Sequence, residues 1–483
     1  MNLRGADVLA RTLAAAGVRH VFALSGNHVM PVYDAALDAK LSLLHVRHEA
    51  AAVHMADAWG RLTGEPGIAL VTGGPGHVNA LGALYTALAA ESPMVLISGH
   101  APLAELGKGA FQEVPQAELA APLAVASWTV RSAHAMGADV ARALREARKG
   151  PVHLSVPNDV LEERTQSKVP ADFSSPTKTQ SMDLEALRNA KRPLVIAGPA
   201  AMRARAARAD PMPVIGMESP RGVNDPSLGK LEPILAKADV VLLLGKRLDF
   251  TLKFGSAFAS DCHIMRADRD VALPEPQTSQ RGWLDEVSAA LRYRPPEWKS
   301  LDGSLHPVVV CREVQKLLAA PGAVFVCDGG EFGQWAQACL EAPRRVINGP
   351  AGSIGSALPF AAAAKLAFPD APVVAVLGDG TLGFHLAEID TAVRYGLNYV
   401  GVVGNDACWN AEYQIQLRAY GAERAHGLDL LPTRYGAVAA ALGAHGEDVS
   451  SFEELRGALE RASKAGKPAL VNVLIERTAA PRY

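Results

Sequence analysis

Val373-Val374-Ala375-Val376-Leu377-Gly378-Asp379-Gly380 opens the most informative stretch of the chain, and Tyr399-Val400-Gly401-Val402-Val403-Gly404-Asn405-Asp406 closes it. Each apolar run has the length and β-branched content of a short buried strand of a parallel sheet. Leu386 to Tyr395 between them reads as the crossover helix. Both polar clusters therefore fall where a strand ends, the position at which open α/β sheets bind ligands. Glycines around Asp379 let the backbone approach a phosphate closely, and carboxylate or amide oxygens suit a hard divalent cation. An ordinary Asp-Gly turn is the bland alternative.

Twenty-four residues separate Gly380 from Asn405. This spacing resembles the signature of the thiamine-diphosphate-dependent enzymes, Gly-Asp-Gly followed by a pair of asparagines. The resemblance implies that Asp379, Asp406 and the carbonyl of Cys408 hold Mg²⁺, with Gly378, Gly380 and Thr381 against the diphosphate. Asp406 stands where the family has its second Asn, and Asn405 becomes the ligand if the turn slips by one residue.

Arg47-His48-Glu49-Ala50-Ala51 resembles a second segment of the family and opens an Ala-rich helix running through Trp59. It follows the strand-like Leu41-Ser42-Leu43-Leu44. The resemblance makes Glu49 the acid/base that exchanges a proton with the cofactor's aminopyrimidine ring. A buried carboxyl suits that task because burial favours its neutral form. A plain helix start is the alternative, since an acidic first turn is favoured by the helix dipole. Zinc of the His-Glu-x-x-His type is excluded, because position 52 is Ala52.

Thr72-Gly73-Gly74-Pro75-Gly76-His77-Val78-Asn79 resembles the loop that supports the pyrimidine, which assigns Gly74, Pro75, Gly76 and Asn79 to the cofactor. Ile354, in Asn348-Gly349-Pro350-Ala351-Gly352-Ser353-Ile354-Gly355, matches the residue that props the cofactor into its bent shape. Gly109-Ala110-Phe111-Gln112-Glu113 resembles the acetolactate synthase stretch whose Phe and Gln face substrate, so Phe111 and Gln112 join the catalytic set. Asn27, His28, His100 and Trp409 are substrate candidates, with Phe384, His385 and Glu412 as further neighbours.

The fold expected is α/β, with three doubly wound parallel-sheet domains: residues 1–165 for the pyrimidine, 183–292 in the centre and 305–483 for the diphosphate and metal. A chain of 483 residues exceeds one hydrophobic core. Polar, Pro-rich segments from Glu163 to Met182 and from Tyr293 to Pro307 mark the linkers. Pro193-Leu194-Val195-Ile196-Ala197 and Val240-Val241-Leu242-Leu243-Leu244 read as central strands. Gly245-Lys246-Arg247-Leu248-Asp249-Phe250 resembles the nucleotide side of relatives that bind FAD or ADP there, which leaves FAD open. No Gly-x-Gly-x-x-Gly fingerprint accompanies it.

A net charge of −2 without a basic block excludes nucleic acid as a partner. Five cysteines without Cys-x-x-Cys pairing suit a reducing cytoplasm. No signal-peptide core and no bilayer-spanning run are expected. The resemblance implies decarboxylation of a pyruvate-like 2-oxo acid and transfer of the two-carbon unit to a carbonyl acceptor, as in acetolactate synthases. Alternatives are a 2-oxo acid decarboxylase, a 2-hydroxyacyl-CoA lyase or oxalyl-CoA decarboxylase, or a non-catalytic paralogue. The short tail after Ala469-Leu470-Val471-Asn472-Val473-Leu474 weighs against the CoA enzymes, which usually cover their ligand with a longer one. Family geometry implies a homodimer or homotetramer in which Glu49 and Asp379 at one site come from different subunits.

Overall fold

The computed structural model describes residues 2–174, 182–206, 208–269, 271–295, 297–298, 301 and 303–481. Residues 175–181 of the first expected linker, and Pro296, Lys299, Ser300 and Asp302 of the second, lie outside the described residues.

Three parallel sheets, each flanked by helices, form the molecule, as the sequence predicts. The first runs Ser42–His45, His20–Ala23, Gly67–Val71, Met94–His100, Val152–Pro157, Ala126–Thr129. The last runs Arg344–Ile347, Val324–Cys327, Val373–Gly378, Val400–Asn405, Ala469–Leu474, His445–Val449. Numbered within each sheet, both orders read 2-1-3-4-6-5, so the two outer units share one topology. The central sheet is smaller: Val214–Gly216, Pro193–Ala197, Val240–Leu244, His263–Ala267. Gly67–Val71, Met94–His100 and Val240–Leu244 are buried throughout, as strands covered on both faces must be, which explains their unbroken apolar sequences.

Strand order reverses between the first and third strands of each outer sheet, which opens a crevice at their carboxyl ends. In the first sheet the flanking loops are Leu24–Asn27 and Thr72–Gly76; in the last they are Asp328–Gly330 and Asp379–Gly380. The functional candidates fall on these loops because topology leaves the crevices there.

One core joins the outer units. Helix Glu49–Thr63 carries Ala51, Ala52, Ala56 and Ala58, small enough for close approach to helices Pro75–Ala89 and Ala357–Ala367. Gly60 lets the same helix lie against the loop before Met94–His100, because a Cβ would lie 2.0 Å from the Pro93 carbonyl oxygen. Phe360, fully buried, packs edge-on against His54 and under the Arg61 guanidinium, which also donates to the Ile347 carbonyl at 2.6 Å.

Two element boundaries differ from the sequence reading. The helix opening at Glu49 runs past Trp59 to Thr63, where Gly64 (φ 78°) ends it in the left-handed conformation. The crossover is two short helices, Asp379–His385 and Glu388–Arg394, instead of one helix over Leu386–Tyr395. The first begins at once on the Asp379 turn, and His385 at its end bonds the Gly355 carbonyl at 2.7 Å, so the chain redirects at Leu386 and Ala387.

Candidate functional site: two half-sites at strand ends

The carboxy-terminal half-site is a groove of two adjoining cavities, about 130 and about 30 Å³. Gly378, Asp379, Gly380, Thr381, Asp406, Cys408, Trp409 and Ile354 all line it. Asp379 is nearly inaccessible, and its Oδ2 has no hydrogen-bond partner. Burial pushes its carboxyl up to about 6, against the pull of backbone N–H groups from Gly380, Ala407 and Cys408. Asp406 is pushed up to about 7, first by burial and then by the negative charge of Asp379. Two neighbouring carboxyls that resist joint ionisation favour a positive charge beside them. Oxygen donors of this kind suit Mg²⁺ or Ca²⁺. Among the described residues no three His, Cys, Asp or Glu side chains cluster as a metal site.

Asn405 and Asp406 play separate parts. The Asn405 amide donates to the Thr433 carbonyl at 3.0 Å and to Asn472 Oδ1 at 3.1 Å, and accepts the Ala407 N–H at 3.1 Å. Its side chain is spent on the sheet end, and Asp406 faces the groove with one oxygen held by Asn410 Nδ2 at 2.7 Å. Arg477 donates to the Asp406 and Ala407 carbonyls at 3.2 and 3.1 Å, fixing the turn from behind.

Close backbone packing shapes the groove. A Cβ on Gly380 would lie 2.9 Å from the Trp409 ring, and one on Gly329 would lie 2.9 Å from Ile354 Cγ2. Thr381 turns its hydroxyl to the Gly378 carbonyl at 3.0 Å. Sequence reading missed Asp328, which is fully buried and accepts N–H groups from Gly329 at 2.7 Å, Gly355 at 3.0 Å and Ala357 at 3.1 Å. It ties the loop carrying Ile354 to the neighbouring strand end. The available signal was Val324-Phe325-Val326-Cys327 breaking at Asp328-Gly329-Gly330, a second strand-end Asp-Gly pattern.

The amino-terminal half-site gathers around Glu49, the first residue of its helix, with His48 capping through Nδ1 to the Ala50 N–H at 3.1 Å. Asn79 Nδ2 donates to Glu49 Oε2 at 3.1 Å, and a Cβ on Gly76 would lie 3.2 Å from Oε1. Pro75 opens the helix carrying Asn79. Gly74 sits at φ 57°, where a Cβ would lie 2.4 Å from the Gln112 carbonyl oxygen. Phe111, 69% exposed, stacks on the buried His28 at 6.1 Å between centroids. His28 and Gln112 thus border the Gly73–Gly76 loop, with Phe111 stacked on His28 and Asn27 exposed beside it in sequence.

His100 lies behind this cluster with both ring nitrogens engaged, Nε2 with the Val114 carbonyl and Nδ1 with Ser155 Oγ, each at 3.1 Å. Trp409 belongs to the other half-site. Glu49 does not line the groove that holds Asp379. Within one chain the two segments meet where Glu388 accepts the Arg47 N–H at 2.9 Å and where the His385 ring, at the far end of the Asp379 helix, lies 5.7 Å from His48.

At the central sheet, Ala200 N–H is taken by the Glu91 carboxylate at 3.0 Å, and Arg203 donates to the carbonyls of Ala90 and Glu91. Lys246 pairs with Asp249 at 2.6 Å. The first helix terminus of this sheet, a position that receives phosphate in nucleotide-binding units, is filled from the amino-terminal unit. Among the described residues no helix is long and apolar enough to cross a membrane.

Comparison with known proteins agrees with this geometry. Residues 3–119 match the thiamine pyrophosphate enzyme N-terminal binding domain, and residues 328–473 match the C-terminal binding domain of the same family. A probable acetolactate synthase of Mycobacterium bovis and an acetolactate synthase large subunit of Mycobacterium tuberculosis are each 34% identical, over 99% of this chain and 97% of theirs. A 2-hydroxyacyl-CoA lyase 2 of Danio rerio is 30% identical over 98% of this chain and 92% of its own. With both halves of the cofactor-binding fold matched and relatives aligned end to end, the chain belongs to the thiamine pyrophosphate enzymes, as a carboligase or lyase of the acetolactate-synthase-like kind.

Proposed function

We propose that the protein decarboxylates a small 2-oxo acid of the pyruvate type and joins the two-carbon unit to a carbonyl acceptor, using thiamine diphosphate and Mg²⁺ at a site shared between two subunits. The carrying observation is the Asp379–Asp406 pair, a buried and a half-buried carboxyl at adjacent strand ends, each pushed toward its neutral form and lining one cavity. Asp379, Asp406 and the Cys408 carbonyl would hold the metal, with Gly378, Gly380 and Thr381 beside the diphosphate and Ile354 under the bend. Gly74, Pro75, Gly76 and Asn79 would take the pyrimidine. When bound, the cofactor supplies a nucleophilic carbon that both breaks and makes carbon–carbon bonds.

Glu49 exchanges a proton with the pyrimidine in this reading. Asn79 holds one carboxylate oxygen and the Cβ-free Gly76 clears space beside the other. Phe111, stacked on His28, would present an apolar face to the substrate, and Gln112 would offer it an amide. Because Glu49 lies outside the Asp379 groove of its own chain, a second copy completes each site, making the protein at least a homodimer.

Calorimetric titration with thiamine diphosphate, with and without Mg²⁺, tests the reading directly; binding indifferent to Mg²⁺ would overturn it. Glu49→Gln is expected to lose turnover by at least about a hundredfold, the usual scale for a lost acid/base, while still binding cofactor. Full-length relatives named as 2-hydroxyacyl-CoA lyases support a second reading, carbon–carbon cleavage of an acyl-CoA. Products from pyruvate alone and from a 2-hydroxyacyl-CoA separate the two.

A further inference from the structure

Beneath the Glu49 half-site lies a polar cluster that the proposed chemistry does not use. Gln116, fully buried at the start of a short helix, stands at its centre. Its Oε1 accepts the Gly74 N–H at 2.9 Å. Its Nε2 donates to the Gly99 carbonyl and to Ser155 Oγ, both at 3.0 Å, and its own N–H donates to the Val114 carbonyl at 2.7 Å. The same Ser155 hydroxyl meets His100 Nδ1, and His100 Nε2 returns to Val114. Gln116 therefore bonds the glycine loop, the end of the strand Met94–His100 and the loop that carries Phe111 and Gln112.

Space around it is tight. A Cβ on Gly73 would meet Gln116 Oε1 at 3.0 Å, the Gly99 carbonyl at 2.7 Å and His28 Nδ1 at 3.3 Å. Gln112 is held at φ 57° with its carbonyl against Gly74. A small shift of one loop must displace the others. Buried networks with every member satisfied impose a single arrangement, and one lost member leaves its partners exposed to the full desolvation penalty.

We infer that Gln116 is a positioning residue, whose side-chain amide sets the separation between the Gly74 loop and the Phe111–Gln112 loop and so fixes the substrate end of the site. Its action on substrate rests on the cofactor reading above; its action on the loops does not. An amide supplies the one acceptor and two donors that these three partners require, and no other side chain of that length does. His100, a substrate candidate from sequence, becomes a second support of the same loop through Val114.

Two variants of the full chain test this, Gln116→Leu, which keeps the bulk, and Gln116→Glu, which keeps the acceptor for the Gly74 N–H. In cofactor-free protein, hydrogen exchange over residues 72–76 and 110–115 is expected to quicken on the order of tenfold in Gln116→Leu, as one lost buried hydrogen bond implies. With cofactor, kcat/KM for the donor substrate falls by about tenfold or more, while thiamine diphosphate affinity stays within about threefold. In Gln116→Glu, kcat/KM relative to wild type recovers as pH falls, because the protonated carboxyl regains a donor. Unchanged exchange in these loops overturns the inference, as does a Gln116→Glu profile parallel to wild type at every pH. Should Gln116→Leu fail to fold, the Gln116→Glu profile decides alone. Wild-type protein that binds no cofactor would refute the proposed function, and the exchange measurement would still decide the role of Gln116 in the loops.

Discussion

Replacing Asp406 by Asn isolates the charge that distinguishes this groove from the family pattern. The folded carboxyl lies at about 7 against an ordinary 3.8, so folding favours its protonated form. The folded state thus holds an extra proton between those values, and stability falls as pH rises through that window. About three units of displacement correspond to about 4 kcal/mol above pH 7, and the roughly one unit accumulated by pH 5 to about 1.5 kcal/mol. Asn is nearly isosteric and keeps an oxygen for Asn410 Nδ2, so the variant removes the charge with little else. In metal-free buffer with chelator, Asp406→Asn is expected to resist denaturant better than wild type, with a margin at pH 8 about 2.5 kcal/mol wider than at pH 5. Adding Mg²⁺ with thiamine diphosphate should reverse the order, because the cation rewards the second carboxylate. Equilibrium denaturation at pH 5, 6.5 and 8 measures the margin. A margin independent of pH, or a metal-free variant weaker than wild type at pH 8, would refute the reasoning.

Three other perturbations follow from the geometry. Gly380→Ala drives a methyl to 2.9 Å from the Trp409 ring, so thiamine diphosphate affinity measured by calorimetry should drop while the fold survives by circular dichroism. Phe360→Ala opens a cavity in the core shared by the outer units and should cost about 3–5 kcal/mol in denaturant, with tryptophan fluorescence and far-ultraviolet dichroism still lost together. With Glu91 filling the first helix terminus of the central sheet, purified protein should show no flavin absorbance near the visible maximum; a stoichiometric flavin would refute that expectation.

Much of the fold was legible because its strands are buried on both faces. Val373–Gly378 and Val400–Asn405 announce themselves as unbroken apolar runs, and their ends locate the groove without knowledge of any contact. Distant partnerships were less legible. Nothing local in Asp328 marks it as the anchor of a loop near residue 355, and nothing in Gln116 marks it as the support of Gly74, since both roles depend on loops meeting across a sheet. His100 has a second role that its position in the family motif does not suggest, because its ring nitrogens meet Val114 and Ser155. Which of Asn405 and Asp406 faces the groove also needed coordinates, because a one-residue shift at a strand end exchanges the inward and outward faces.

The crossing of helix Glu49–Thr63 with helix Ala357–Ala367 has a consequence during synthesis. The Ala face of the earlier helix is complete long before its partner emerges. From residue 165 to residue 367 is an interval of about 10–40 s at ordinary ribosomal rates of about 5–20 residues per second. Throughout it, the amino-terminal unit carries a bare apolar surface that its own residues cannot cover. Such a nascent chain invites chaperone engagement, and slow translation of the central region would prolong the hazard.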